Sequence, residues 1–97
     1  MSEVVRQDST ALRNIAQTIE TTAEEFKHEK EMLFEKMQNE IGNDPGHVAW
    51  YGPQAEVFIQ NFNAKEQDFV NAYNNMISIA NNLREQANSW DRFEQGN

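Results

Sequence analysis

The sequence predicts an all-α protein, an antiparallel helical hairpin (helix-turn-helix) that dimerises into a four-helix bundle. Two long stretches carry apolar residues at helical spacing, and Trp50-Tyr51-Gly52-Pro53 lies between them near the middle of the 97 residues. A short corner between two helices favours antiparallel neighbours. The apolar stripe is too wide for one sister helix to cover, which predicts the dimer. At this length we expect one small domain over residues 1–97.

The first helix is predicted over about residues 8–41, after a loose N-terminal arm of residues 1–7. Asp8-Ser9-Thr10 offers side chains that can cap a helix starting there. No Gly or Pro interrupts the run, and Gly42-Asn43-Asp44-Pro45-Gly46 ends it. Apolar residues recur three, four or seven positions apart on one helical face: Leu12, Ile15, Ile19, Ala23, Phe26, Leu33, Met37 and Ile41.

The second helix is predicted over about residues 53–94, after a Trp-x-Gly corner of residues 42–52. Pro53 suits the first helical position because its φ angle is fixed, and Gly52 precedes it. We expect Gly96-Asn97 to fray. A seven-residue repeat requires a left-handed supercoil with a partner helix, as in a coiled coil. The repeat comprises Ala55, Phe62, Phe69, Met76, Leu83 and Trp90.

The width of the apolar stripe predicts the second hairpin of the bundle. On a projection of about 100° per residue, the apolar arc of the second helix exceeds about 100°. Two helices alone also enclose little volume, and small scaffolds normally need further support. The residues predicted to form the shared core and dimer interface are Leu12, Ile19, Phe26, Leu33, Phe58, Phe62, Phe69, Tyr73, Met76 and Leu83.

The composition argues against an enzyme and against nucleic-acid binding. Eight Lys+Arg against sixteen Asp+Glu give a net charge of −8, which repels phosphate, and the lack of Cys removes thiol chemistry. Glu25 and His28 have a Glu-x-x-His spacing, but both point away from the apolar stripe. We interpret His47 as a surface loop residue without an evident partner. No catalytic residue, cofactor, metal site or small-molecule substrate is therefore predicted.

With its Trp50-x-Gly52 corner between two long helices, essentially the whole chain resembles the WXG100 family of small, ESAT-6-like substrates of type VII (ESX) secretion. The run Trp50-x-Gly52-x-x-Ala55-x-x-Phe58-x-x-x-Phe62 matches the family pattern after the corner, and length, acidity and helix–corner–helix layout agree with it. The resemblance implies a dimer exported folded through a membrane complex driven by an FtsK/SpoIIIE-type ATPase. No apolar run near Met1 resembles a signal peptide, so we expect synthesis as a soluble cytoplasmic protein, then a secreted or cell-surface location.

The same resemblance assigns export roles to residues at the corner and at the C-terminal end. It implies that Trp50 and Gly52 form the turn and export motif, close to a Tyr-x-x-x-Asp/Glu signal of the partner. Tyr73 does not fit that signal because Ile77 follows four residues later. The nearest approximation is Trp90 with Glu94, a possible degenerate signal.

Two other functions stay open at this point. One is an adaptor or targeting chaperone that forms a heterodimer with a larger type VII toxin or a WXG100-like partner, rather than a homodimer. The other is a cytosolic coiled-coil scaffold with no link to secretion.

Overall fold

The computed structural model describes residues 8–95, of which 83% are helical. The elements are α1 (Ser9–Glu40), β1 (Ile41–Gly42), β2 (Trp50–Tyr51), α2 (Pro53–Asn63) and α3 (Glu66–Gln95). The protein is thus mostly helical, with one long helix and a second, bent one, which is consistent with a helical hairpin. The predicted N-terminal arm, residues 1–7, and the predicted frayed end, Gly96-Asn97, lie outside the described residues.

Helix α1 begins where the capping residues predict. Asp8 precedes it and accepts a hydrogen bond from the Ala11 amide through Oδ1 at 3.0 Å. The Asp8 carbonyl oxygen also accepts from the Leu12 amide at 2.9 Å. Asp8 is therefore the N-cap, the residue that satisfies amides for which the helix has no partner.

The corner contains a parallel pair of two-residue strands that the sequence does not predict. Ile41 is opposite Trp50, and Gly42 is opposite Tyr51. The Gly52 amide donates to the Gly42 carbonyl at 2.9 Å, which closes the loop of residues 43–49. Ile41, which the sequence places at the end of the first helix, therefore lies in β1. Two-residue strands are too short to show a period of two in the sequence.

Gly52 joins the corner to α2 with a backbone conformation that other residues rarely adopt. Its φ is 121° and its ψ is 178°, a region that is essentially restricted to glycine. An added Cβ would meet nothing within 4 Å, so the requirement is conformational rather than steric. The Gly52 carbonyl then accepts the first hydrogen bond of α2, from the Glu56 amide at 2.9 Å.

The second helical stretch is interrupted, whereas the sequence predicts one helix over about residues 53–94. Helix α2 ends at Asn63, and α3 begins at Glu66. At the break the Lys65 amide donates to the Phe62 carbonyl, and the Asp68 amide donates to the Lys65 carbonyl, both at 3.0 Å. These bonds span three residues, as in a tightened 3₁₀-type turn. No Gly or Pro lies at residues 64–65, so the sequence carries no signal for the bend.

The chain divides into two compact units, and the described residues of unit 1 are 8–23 and 74–95. These residues pair α1 up to Ala23 with α3 from Asn74 onward. The buried residues of this unit are alanines without exposed surface, spaced seven apart on each helix, and they comprise Ala16, Ala23, Ala80 and Ala87. Small side chains at heptad spacing form the intrachain contact surface of this unit.

Unit 2 comprises residues 24–73 and has an aromatic core. Ala55 has no exposed surface, and Ile59 and Phe34 retain 5% and 8% of theirs. The Phe34 ring lies 4.5 Å from the Phe62 ring and 5.6 Å from the Phe69 ring, between centroids. Phe34 is therefore the buried aromatic residue around which α1, α2 and α3 pack in this unit.

Candidate functional site

The residues predicted as core and interface all keep part of their surface exposed. Leu33 and Phe58 are exposed, and the others are half-buried: Leu12, Ile19, Phe26, Phe62, Phe69, Tyr73, Met76 and Leu83. In unit 1 the fully buried alanines follow the predicted residues by four positions, which is about 40° around a helix. The predicted stripe therefore lies beside the intrachain contact surface rather than within it.

In unit 1 the predicted stripe forms an apolar flank that ends in half-exposed side chains. Ile15 on α1 and Ile79 on α3 are each 50% exposed. On both helices the apolar residues lie on the same side of the buried alanines, by angular position at about 100° per residue. We call this surface the apolar flank of unit 1, and it comprises Leu12, Ile15, Ile19, Met76, Ile79, Leu83 and Trp90.

The opposite side of unit 1 is closed by ion pairs. Arg13 contacts Asp91 at 2.7 Å, and Glu20 contacts Arg84 at 2.8 Å. Ser9 also donates a hydrogen bond to Asp91. One side of this helix pair is thus bridged by charged groups, and the other presents apolar side chains to solvent.

The contribution of this polar side to stability can be tested at the Asp91 carboxyl group. The Ser9 hydrogen bond and then the Arg13 guanidinium lower the pKa of Asp91 below its usual range. A carboxyl whose pKa is lower in the folded state stabilises the fold above its unfolded pKa, and this contribution is lost as the pH falls through the folded value. We expect Asp91→Asn to lower the free energy of unfolding at pH 6, and to lower it less at pH 3.

Urea unfolding followed by circular dichroism at both pH values checks this prediction. Asp68→Asn is the matched control, because Asp68 is an exposed aspartate of unit 2. An Asp91→Asn effect that is equal at both pH values would contradict the prediction.

Unit 2 contains a continuous series of aromatic contacts that reaches the corner. Successive ring centroids lie 4.5 to 6.4 Å apart. Phe34 is the buried ring, whereas Trp50 at one end is 42% exposed and Phe58 next to it is 41% exposed. In order, the series comprises Trp50, Phe58, Phe62, Phe34, Phe69 and Phe26. Trp50, the tryptophan of the predicted Trp-x-Gly motif, is thus connected to the core of unit 2 through other aromatic residues.

Trp50, Tyr51 and Phe58 form an exposed surface that we call the aromatic corner. The Trp50 ring lies 5.5 Å from the Phe58 ring and keeps 42% of its surface exposed. Tyr51 is exposed beside it. A tryptophan between two helices can either plug the end of a helical bundle or form a surface feature that another protein contacts. The exposure of Trp50 supports the second interpretation within this chain, because clustered exposed apolar residues mark interaction sites.

Three other predicted residues, Tyr73, Trp90 and Glu94, lie on α3. Tyr73 lies seven residues before Ala80, in register with the buried alanines of α3. Its hydroxyl donates a hydrogen bond to Glu24 at 2.6 Å. Trp90 stacks on Phe93 with centroids 5.6 Å apart, and Glu94 is exposed. The structure therefore pairs Trp90 with another aromatic residue of α3, and Trp90 with Glu94 as a possible signal stays a prediction.

His47 has partners, so its interpretation as an unpartnered surface residue is wrong. Its ring Nε2 lies 3.0 Å from the Gln38 carbonyl oxygen, and Nδ1 lies 3.2 Å from the Asp44 carbonyl oxygen. The ring also covers Gly42, where an added Cβ would lie 2.4 to 2.8 Å from three ring atoms. Gly42 thus allows the ring to approach the backbone. Two glycines around Asp44-Pro45 were the only sequence signal for such a loop.

The described residues hold no group of three or more His, Cys, Asp or Glu side chains that could bind a metal ion. Glu25 and His28 are both exposed, as their angular positions predict. Within residues 8–95, no helix has the length and apolar character needed to cross a membrane.

Comparison with protein-family models, with curated proteins and with solved structures gave no match to this chain. The resemblance to the WXG100 family therefore stays a prediction from residues 50–62 and from the layout of the helices.

Proposed function

We propose that this protein is a small, non-enzymatic substrate of a type VII (ESX/Ess-like) secretion system, exported as a dimer and acting as a secreted effector or co-substrate. The observation that carries the proposal is the aromatic corner, where Trp50 is exposed and Gly52 has its positive φ. A tryptophan exposed at a fixed turn is suited to recognition by another protein. The membrane ATPase complex of the secretion system would be the partner.

The apolar surface that the single chain leaves exposed supports the proposed dimer. The completely buried hydrophobic residues among those described are all alanines, whereas the larger apolar side chains keep part of their surface. Burial of apolar surface contributes about 25 cal/mol per Å², so the burial of alanine side chains alone stabilises the fold only slightly. In unit 1, a second copy placed on the apolar flank would cover Ile15 and Ile79 without disturbing the ion pairs on the other side.

Export tests the proposal directly. In a bacterial host with a type VII system, we expect Trp50→Ala to reduce the protein in the culture supernatant by about tenfold or more, as for loss of one hot-spot aromatic residue. Helicity and cellular amount should not change, because Trp50 is not buried. Quantitative immunoblotting of both fractions, with circular dichroism of the purified variant, measures these quantities.

Val57→Ala is the matched control, because Val57 is an exposed apolar residue of α2 that lies outside the aromatic corner. Wild-type protein that stays in the cell, or that is exported without the secretion ATPase, would refute the proposal. Loss of helicity together with export in Trp50→Ala would instead make Trp50 a packing residue.

A further inference from the structure

The segments that form the aromatic corner carry acidic groups and no basic ones. Residues 37–64 contain no Lys or Arg, and their carboxylates are those of Glu40, Asp44 and Glu56. Glu40 ends α1 just before β1, Asp44 lies in the loop before β2, and Glu56 lies in the first turn of α2. The Asp44 side chain is 68% exposed. Exposed charges act over about 8 Å at physiological salt, so the exposed rings of the corner lie in a negative potential.

Elsewhere in unit 2 the chain places its own lysines over aromatic rings. The Lys30 ammonium lies 5.1 Å from the centroid of the Phe34 ring, and the Lys27 ammonium lies 5.4 Å from that of Tyr73. A cation within about 6 Å of a ring face is attracted by the π electrons, and tryptophan is the best of the aromatic side chains for this contact. Trp50 has no Lys or Arg within 13 positions along the sequence. A cation for this ring would therefore come from another molecule.

We propose that the aromatic corner binds a basic segment of a partner protein, with an arginine side chain stacked on the Trp50 ring. The Trp50 and Phe58 rings lie 5.5 Å apart between centroids and are 42% and 41% exposed, so both have surface open to a ligand. A guanidinium is planar and weakly hydrated, and it stacks on an aromatic face more readily than an ammonium group does. The inference rests on the proposed function for the surface that it uses, and it adds the chemistry of the partner.

The charge of the corner distinguishes a basic protein segment from other occupants. An anionic membrane surface would be repelled by the three carboxylates. A second copy of this chain, placed symmetrically on the corner, would bring the same carboxylates against themselves, and like charges across an interface are unfavourable. A basic segment is attracted both by the rings and by the carboxylates.

Titration of the purified chain with short peptides tests the proposal. The probes are blocked Gly-X-Gly-X-Gly peptides in which X is arginine, lysine or citrulline, the neutral analogue of arginine. In nitrogen–proton NMR spectra, the arginine peptide should shift the indole N–H resonance of Trp50 and the amide resonances of Tyr51 and Phe58. At low salt we expect it to bind about fivefold or more tightly than the citrulline peptide, as for one exposed cation–π contact. The lysine peptide should bind with intermediate affinity.

Trp50→Leu separates stacking from general attraction between charges. The leucine keeps an apolar side chain at the corner but has no π face, so binding of the arginine peptide should weaken by about fivefold. Trp90→Leu is the matched control, because it makes the same change at a half-buried tryptophan of α3. It should leave the affinity unchanged.

The contribution of the carboxylates is tested by Asp44→Asn combined with Glu56→Gln. The amide oxygens can still accept hydrogen bonds, but two negative charges are removed. The arginine peptide should bind this variant more weakly at low salt, and its affinity should depend less on salt. Glu85→Gln combined with Glu94→Gln is the control, because both residues are exposed acids of α3.

Equal binding of the arginine and citrulline peptides, or unchanged binding in Trp50→Leu, would overturn the proposal. Phosphatidylcholine vesicles that shift the Trp50 resonance while the peptides do not would overturn it in favour of a membrane. Intermolecular nuclear Overhauser effects from a second copy to the Trp50 ring would overturn it in favour of self-association. A chain whose export needs Trp50 but that does not bind the arginine peptide refutes this inference alone. A chain that binds the peptide but stays in the cell refutes secretion alone.

Discussion

An Ile79→Glu substitution is expected to dissociate the proposed dimer and to leave the monomer folded. Ile79 is half-exposed in the single chain, so a glutamate there can reach water. In a dimer packed through the apolar flank of unit 1, the carboxylate would be buried without a partner. An uncompensated buried charge costs about 3–5 kcal/mol, which raises the dissociation constant by roughly 100-fold or more. Sedimentation velocity over a concentration series measures this shift.

Asn82→Glu is the matched control for the dimer prediction. Asn82 is an exposed residue of the same helix, about 160° from the buried Ala80 by helical geometry on the side away from α1. It should carry the new charge without changing the dissociation constant. A wild-type chain that is a folded monomer at all concentrations would contradict the dimer. If the Ile79→Glu variant still dimerised like the wild type, the interface would lie elsewhere. A monomer that associates only with a co-expressed partner would favour the adaptor function.

The positions of the helices could be predicted because local residues determine them. Asp8 caps α1, Pro53 begins α2, and Gly52 has the conformation that its place before the helix suggests. The bend at residues 64–65 could not be predicted, because the apolar repeat continues in phase from Phe62 to Phe69. A bend without Gly or Pro reflects packing around the helix, which local sequence does not encode.

The residues through which the two helices contact each other could be predicted only approximately. The sequence centred the contact on large apolar residues such as Leu12 and Leu83. In unit 1 the structure places alanines there, because small residues let two helices approach closely and leave larger ones at the side. Large apolar side chains indicate that a helix face is covered in the folded protein. They do not indicate whether the same chain or a second chain covers that face.

Two residues of the candidate site follow from tertiary contacts that no spacing rule indicates. His47 binds the carbonyl of Gln38, nine positions earlier, through a loop whose course is not periodic. Phe34 is absent from the predicted stripe, although it is the buried ring of unit 2. It follows Leu33, and adjacent residues on a helix point about 100° apart. Choosing Leu33 as the inward residue therefore excluded Phe34.

The role of Phe34 predicts the largest loss of stability from one substitution. Replacing this buried ring by alanine removes its contacts with Phe62 and Phe69 and leaves a cavity. Such changes cost about 3–5 kcal/mol, which is a large part of the stability of a small domain. We expect Phe34→Ala to be partly unfolded at 37 °C. Urea unfolding must be compared at one fixed protein concentration, because association adds to apparent stability.

Phe93→Ala makes the same chemical change at an exposed ring of α3 and distinguishes core packing from general loss of aromatic surface. Substitutions at exposed positions usually change stability by about 0.5 kcal/mol or less, and the Trp90 stack adds about 0.5–1.5 kcal/mol. Phe34→Ala should therefore lower the free energy of unfolding more than Phe93→Ala does. Equal losses would mean that Phe34 is not the centre of the core of unit 2.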